Sequence, residues 1–257
     1  MPLIDRRTLG GLRVEVYSTR AEMGAAAGAA AAAAITAVQD RRTGPVRIVF
    51  AAAPSQNETL ATLAAGPDVD WSRVVAFQMD DYVGLPATAP ERFSAYLQEH
   101  LFDLVRLGSI HRLEGTGDVD AETERYAALL MEDPIDLCLF GIGENGHLAF
   151  NDPPTADFAD PQVVKRVELD YACRVQQVND GCFPTFEDVP PEALTLTIPT
   201  LLSARAMIGS VPGPAKRDAV SDTLWGPVTT DCPASAVRGH DHATLYLDAD
   251  SWPGDTA

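Results

Sequence analysis

Short β-branched apolar runs alternate with longer segments of helical period along most of the chain, which is the rhythm of strand–helix–strand units. Residues 12–17 read as a strand, and Thr19-Arg20-Ala21-Glu22 has the form of a capping box opening an alanine-rich helix that runs toward Arg41. Strands follow at 46–52 and 74–78, with a helix at 57–65 between them, and further helices at 94–105 and 120–131. Residues 135–140 are apolar apart from Asp136, so both faces of that strand must be covered. Beyond them, 193–198 alternates apolar residues with threonine, 206–211 is an apolar strand, 214–224 is helical and 244–248 closes the pattern. The expectation is a three-layer α/β/α architecture, residues 1–257 forming one domain around a mostly parallel sheet. Residues 153–191 break the rhythm, being rich in proline, aspartate and polar residues, with only 163–169 resembling a strand. Long irregular segments in compact domains are often functional, so this stretch is expected to be an insertion or lid over the sheet.

Composition narrows the partners. Of 257 residues 46% are hydrophobic, and 37 acidic side chains oppose 19 basic ones for a formal charge of −18. Such a surface repels phosphate backbones and anionic lipid, so neither nucleic acid nor a membrane is the expected partner, and an anionic substrate must find a local positive site. Residues 25–34 are alanine apart from Gly28, which suits a buried helix, and no run of about 18 apolar residues appears. The N-terminus lacks an apolar stretch with a cleavage site, which makes a cytoplasmic protein the expectation. Cys138, Cys173, Cys182 and Cys232 are scattered and form no C-x-x-C pair, so they read as buried thiols.

In open parallel sheets ligands bind beyond the carboxyl ends of the strands, and four such places carry candidate chemistry. After 46–52 comes Ala53-Pro54-Ser55-Gln56-Asn57, a small-residue turn whose free N–H groups and hydroxyl suit an anion; Ser55 or Asn57 capping the next helix is the plainer alternative. After 74–78 come Asp80 and Asp81, of which the pleat turns only one to the crevice. A carboxylate partly withdrawn from water is suited to take a proton from carbon. After 135–140 comes Gly141-Ile142-Gly143-Glu144-Asn145-Gly146-His147, where glycines let backbone approach a ligand and a histidine arrives at the rim with Asp152 close behind. After 206–211, Lys216 stands in the first turn of a helix; only it and Lys165 are lysines, the other basic residues being arginine. A lysine kept at a helix start is expected to serve a phosphate, the plainer alternative being a solvated side chain. His240 and His242 point to one side of an extended segment, but no third ligand is identifiable, so no metal is expected.

In this order the segments resemble the glucosamine-6-phosphate deaminase/isomerase family, within the superfamily that includes 6-phosphogluconolactonases. The resemblance covers roughly 12–248 and is carried by F-Q-M-D-D-Y-V-G-L-P, P-E-R-F-S-A-Y-L, G-I-G-E-N-G-H-L-A-F-N-D-P, A-L-T-L-T-I-P-T-L-L and the strand leading to Lys216. It implies a Rossmann-like sheet, a small-molecule sugar phosphate as partner, no cofactor, and a turnover that opens an amino-sugar phosphate ring, moves a proton from C2 to C1 and releases ammonia. On that pattern Asp80 transfers the proton, His147 opens the ring, Asp152 supports His147, and Asn145 stands where aspartate is usual. Asparagine cannot stabilise an imidazolium by charge, which leaves that task to Glu144 or Asp152. Ser55, Gln56, Gly143 and Lys216 are the implied substrate-binding residues, and 174–181 lies where an arginine completes the phosphate grip. Ala52-Ala53-Pro54-Ser55 replaces a T-G-G-T type loop, and Pro54 has no N–H to offer. Lactone hydrolysis, or sugar-phosphate binding without turnover, are the competing readings; self-association is left open.

Overall fold

The computed structural model describes residues 2–254. In chain order its elements are β1 (Leu3–Leu9), β2 (Leu12–Tyr17), α1 (Arg20–Arg41), β3 (Val46–Phe50), α2 (Asn57–Ala64), β4 (Val74–Gln78), β5 (Asp80–Tyr82), α3 (Phe93–Leu97), β6 (Ser109–His111), α4 (Val119–Met131), β7 (Leu137–Phe140), β8 (Val164–Glu168), α5 (Tyr171–Asn179), β9 (Glu192–Leu196), α6 (Ile198–Leu202), β10 (Ala206–Val211), α7 (Arg217–Trp225) and β11 (Ala243–Asp248). Eight strands form one sheet in the order β1-β2-β11-β10-β7-β3-β4-β6, and every pairing is parallel except that of β1 with β2. Rossmann-like layering follows, with two apolar cores on opposite faces.

Alternation along β3 divides its side chains between them: Ile48 and Phe50 join Met23, Ala27, Ile35 and Leu60 of α1 and α2, while Val49 joins Phe77, Tyr126 and Val220 on the other face. β7 lies between β3 and β10 and is buried at every residue, which is why its sequence is apolar without alternation. The helix α1 is long and apolar enough, by length and composition, to cross a membrane. Its buried stripe instead meets α2 closely. A Cβ at Gly28 would fall 2.6 Å from the Thr59 carbonyl oxygen, and one at Gly24 would fall 2.2 Å from the Glu58 Cβ. As read from the sequence, the Thr19 hydroxyl caps this helix, accepting from the Glu22 N–H at 3.2 Å.

From β3 the chain progresses outward through β4 to β6, and from β7 outward through β10 to β11, so the direction of winding reverses between β3 and β7. That switch point is where a parallel sheet opens a crevice. The loops following β3, β7 and β10 all reach it.

Several boundaries differ from the sequence expectation. β3 stops at Phe50, because the chain must turn into a 3-10 turn, Pro54–Gln56, before α2. The helix expected over 94–105 is α3 followed by a π-turn, Gln98–Phe102. Lys216 ends a 3-10 turn, Pro214–Lys216, that leads into α7. The runs at 163–169 and 193–198 become β8 and β9; β9 pairs antiparallel with β8 on one side and with β5 on the other in a separate three-stranded sheet. Residues 153–191 thus carry β8, α5 and a 3-10 turn, Phe186–Asp188, joined by irregular chain.

Candidate active site

The crevice holds a cavity of about 170 Å³, lined from β3 by 51–56, from β4 by Met79 and Asp80, from β7 by Gly141–Glu144 and His147, from α5 by Gln176 and Gln177, and from β10 by 212–216.

Asp80 and Asp81 have opposite fates. Asp81 is fully buried and points into the protein, where its carboxylate accepts from the backbone N–H groups of Tyr82, Phe93 and Ser94 at 2.9–3.3 Å and from Arg92 Nε at 3.2 Å. Arg92 is itself buried and donates to the Leu113 carbonyl at 2.6 Å. Asp80 is the one of the pair that faces the cavity, and its carboxylate makes no hydrogen bond among the described residues. Burial pushes its carboxyl well above the ordinary aspartate range, and the charges of Asp81 and Asp152 push the same way.

His147 is held by the glycine loop. Its ring lies where a Gly143 side chain would be, since a Cβ there would sit 2.2 Å from ring atoms Cε1 and Nε2. Gly143 N–H donates to the His147 carbonyl at 3.0 Å, closing the turn. Beyond it Ala149 adopts φ 50°, a left-handed conformation that costs a residue with a Cβ on the order of 1–2 kcal/mol. The next residues tie the loop to the second sheet: Phe150 N–H donates to the Thr195 hydroxyl at 3.1 Å, and the Asn151 amide to the Leu196 carbonyl at 2.8 Å.

The carboxylate behind His147 is Asp152, with Oδ1 2.9 Å from Nδ1. The contact falls short of hydrogen-bond alignment, and Nδ1 has no other partner among the described residues. Asn145 does not hold the ring. Its amide donates to Asp152 Oδ1 at 3.0 Å, and its carbonyl oxygen accepts the His147 backbone N–H at 3.2 Å. Burial alone would raise the Asp152 carboxyl; contacts from His147, Asn145 and the Asp170 N–H together outweigh it and hold the group below the ordinary range. Of the two groups the sequence offered to balance an imidazolium, Asp152 is the one in place. Glu144 lines the cavity with its backbone N–H bonded to Gln176 Oε1 at 2.7 Å.

Lys216 is 7% exposed and lines the cavity, and its ammonium makes no hydrogen bond or ion pair among the described residues. Burial lowers its ammonium below the ordinary lysine range, opposed by the charges of Asp180 and Glu144. Ser55 lines the same region. Gln56 lines it too, and its amide nitrogen donates to Ser55 Oγ at 3.0 Å and to the Ser210 carbonyl at 3.1 Å. It fastens the loop to β10.

Arg174 does not reach the cavity: its guanidinium donates to the carbonyls of Phe186 and Val189 at 3.0 and 2.7 Å and lies 4.0 Å over the Phe186 ring. The arginine that does line it is Arg20, at the start of α1, held by Glu58 Oε1 at 2.8 Å and by the Pro54 carbonyl. Sequence reading missed Arg20 as a site residue, although its place just beyond β2 was the available signal. His240 and His242 do not form a ligand pair, since both ring nitrogens of His240 already have partners, the Ala204 carbonyl at 2.7 Å and the His242 N–H at 3.2 Å.

A parallel α/β sheet with a desolvated carboxyl, a carboxylate-backed imidazole and a buried ammonium gathered at its switch point defines an acid–base crevice for a small anionic molecule. The chain belongs to the glucosamine-6-phosphate isomerase/6-phosphogluconolactonase family, whose model matches residues 18–246. It is 37% identical to a glucosamine-6-phosphate deaminase of Exiguobacterium sibiricum over 184 residues, 71% of each chain. Against a glucosamine-6-phosphate deaminase of Streptococcus pneumoniae it is 35% identical over 72% of this chain and 77% of the other. Among solved structures, a monomeric glucosamine-6-phosphate deaminase superposes with a TM-score of 0.82 at 27% identity, covering 93% of this chain and 98% of that one. A 6-phosphogluconolactonase from Thermotoga maritima shares the fold, with a TM-score of 0.74 at 16% identity over 94% of this chain and all of the other.

Proposed function

We propose that this protein is an amino-sugar-phosphate deaminase/isomerase. The observation that carries the reading is that Asp80, His147 with Asp152 behind it, and Lys216 line or back one cavity at the sheet's switch point. His147 presents Nε2 to the substrate while Nδ1 faces Asp152, so the imidazole moves the proton between ring oxygen and C1 hydroxyl that opens the sugar. Asp80 then takes the C2 proton of the open chain, and the electron pair moves to form an enediol-like enolamine. The same carboxyl returns the proton to C1, leaving a C2 iminium. Water adds to that carbon and ammonia leaves, giving the 2-ketose phosphate.

Desolvation of Asp80 fits this task, because a carboxyl with a raised pKa is a stronger base toward carbon than an ordinary aspartate. Lys216, Ser55 and the backbone of 52–55 bind the phosphate, with Arg20 adding charge at the same end of the cavity. Gly143 allows the close approach of His147, and Asn145 serves indirectly by orienting Asp152. Residues 153–191 cover the substrate, and the unpaired cysteines suit a reducing, cytoplasmic setting.

The test is ammonia release from glucosamine 6-phosphate and galactosamine 6-phosphate, with formation of the 2-ketose phosphate followed in parallel and a 6-phosphogluconolactone as control. Stoichiometric ammonia and ketose from either amino sugar is the expected result. Lactone opening without ammonia release from either epimer overturns the proposal.

A further inference from the structure

Behind the His147 ring lies a cluster whose full chemistry the proposed turnover does not use. Cys173, in the first turn of α5, is buried, as are Asp152 and His147. One ligand atom from each of the three lies within 4.8 Å of the other two. These are a thiol, a carboxylate oxygen and an imidazole nitrogen, the donor types that together suit a borderline-soft cation and not magnesium or calcium. A second observation concerns Nδ1 of His147. It is buried without a hydrogen-bond partner, although Asp152 Oδ1 stands 2.9 Å away, so a strong donor or acceptor faces the cluster with nothing aligned on it.

The geometry points to a site for a thiophilic divalent cation of the zinc class, held by His147 Nδ1, Asp152 and Cys173 Sγ, whose occupation switches His147 off. Bond lengths of about 2.0–2.3 Å to N, O and S place tetrahedral ligands roughly 3.3–3.8 Å apart. The widest separation in the cluster therefore has to close by about 1 Å, within reach of small side-chain rotations. His147 lines the cavity whereas Asp152 and Cys173 do not, so the route in passes the imidazole ring.

Binding displaces the thiol proton and any proton on Nδ1 to solvent, and the metal takes the imidazole lone pair. The ring then keeps its proton on Nε2 and has no free nitrogen to accept another, so it cannot cycle a proton through ring opening. Only the loss of turnover rests on the proposed function; the binding site stands on its own geometry.

The experiment titrates the full chain with Co²⁺, whose thiolate charge-transfer absorption reports cysteine ligation, and then with Zn²⁺ during the ammonia assay. Wild type and Cys182→Ser, which alters the cysteine that lines the cavity, should each bind one cobalt ion with the thiolate band. Cys173→Ser should lose the band, and its affinity should fall by more than the roughly 10–100-fold that removal of an outer-shell partner costs. It should also keep its turnover at zinc concentrations that silence wild type. If Cys173→Ser folds poorly by circular dichroism, His147→Gln supplies the same binding test, with weakened cobalt affinity expected. A thiolate band absent from wild type, unchanged in Cys173→Ser or lost in Cys182→Ser overturns the site. Cobalt ligation by Cys173 with turnover untouched by zinc overturns the switch. Should no amino-sugar phosphate be turned over at all, the functional reading fails while the cobalt titration still decides the site.

Discussion

Asp80 and Asp81 are one peptide bond apart and perform different work because the pleat sends them to opposite sides. The first meets an apolar cavity and neighbouring negative charge; the second meets Arg92 and three backbone N–H groups. A carboxyl whose native pKa lies above its unfolded value binds more protons folded than unfolded, so its contribution to stability falls as pH rises through that raised value. Asn carries no such titration. Asp80→Asn should therefore abolish solvent-deuterium exchange at C2 and unfold at a higher temperature than wild type near neutral pH, with the gap narrowing in acid. Mass spectrometry of the sugar and calorimetry across pH check the two halves. Lys216 is the complementary case, an ammonium without a protein partner among the described residues. Its removal should cost a phosphosugar about 1.5–3 kcal/mol of binding, ten- to hundredfold or slightly more, and its unphosphorylated counterpart far less. Because burial lowers the Lys216 pKa, wild-type phosphate affinity should also weaken with rising pH earlier than an ordinary lysine would allow. Calorimetric titration of Lys216→Ala with both sugars tests the assignment.

At the scale of elements, the loop after β7 shows how a short sequence aims a side chain into the cavity. Its glycine at 143 admits the His147 ring, the strained Ala149 turns the chain, and Phe150 and Asn151 pin it to β9. Gly143→Ala places a Cβ 2.2 Å from the ring, so the imidazole must move. Displacement of about 1 Å lowers turnover by on the order of 10²-fold, and the variant should lose that much kcat/KM while still unfolding cooperatively. Steady-state kinetics beside a thermal melt separate the two effects. The glycine spacing made this loop legible from sequence. The resemblance named Asp152 as the support of His147, but the bond from Asn145 to Asp152 was not legible, because the two are seven residues apart and only the folded turn brings them together. Local signals likewise could not tell that 94–105 breaks into a π-turn, or that β8 and β9 leave the main sheet for a second one with β5.

Across the whole molecule, the cavity is closed by parts distant in sequence. α5 reaches it with Gln176 and Gln177, the first bonded to the Glu144 backbone and the second accepting the Tyr82 hydroxyl at 2.6 Å. If residues 153–191 act as the cover, a bound phosphosugar bridges this segment to the main sheet. At ligand concentrations about 100 times Kd the bound state gains about 2.7 kcal/mol, so amides of α5 that exchange by opening of the site should slow by about 100-fold. Hydrogen exchange with and without an amino-sugar phosphate measures this, and unchanged α5 amides would place the cover elsewhere.

The sequence by itself determined the alternation of strand and helix, the doubly covered strand at 135–140 and the crevice residues Asp80, His147 and Lys216. Each of these is written in local periodicity or in position just after a strand, where a few neighbouring residues settle the outcome. Only the tertiary structure decided that Arg20 and not Arg174 lines the cavity, that Asn145 bonds Asp152 and not the imidazole ring, and that Cys173 stands behind His147 and Asp152. Those relations join segments separated by up to about two hundred residues, and they depend on how layers pack and loops turn, which no local pattern of residues encodes.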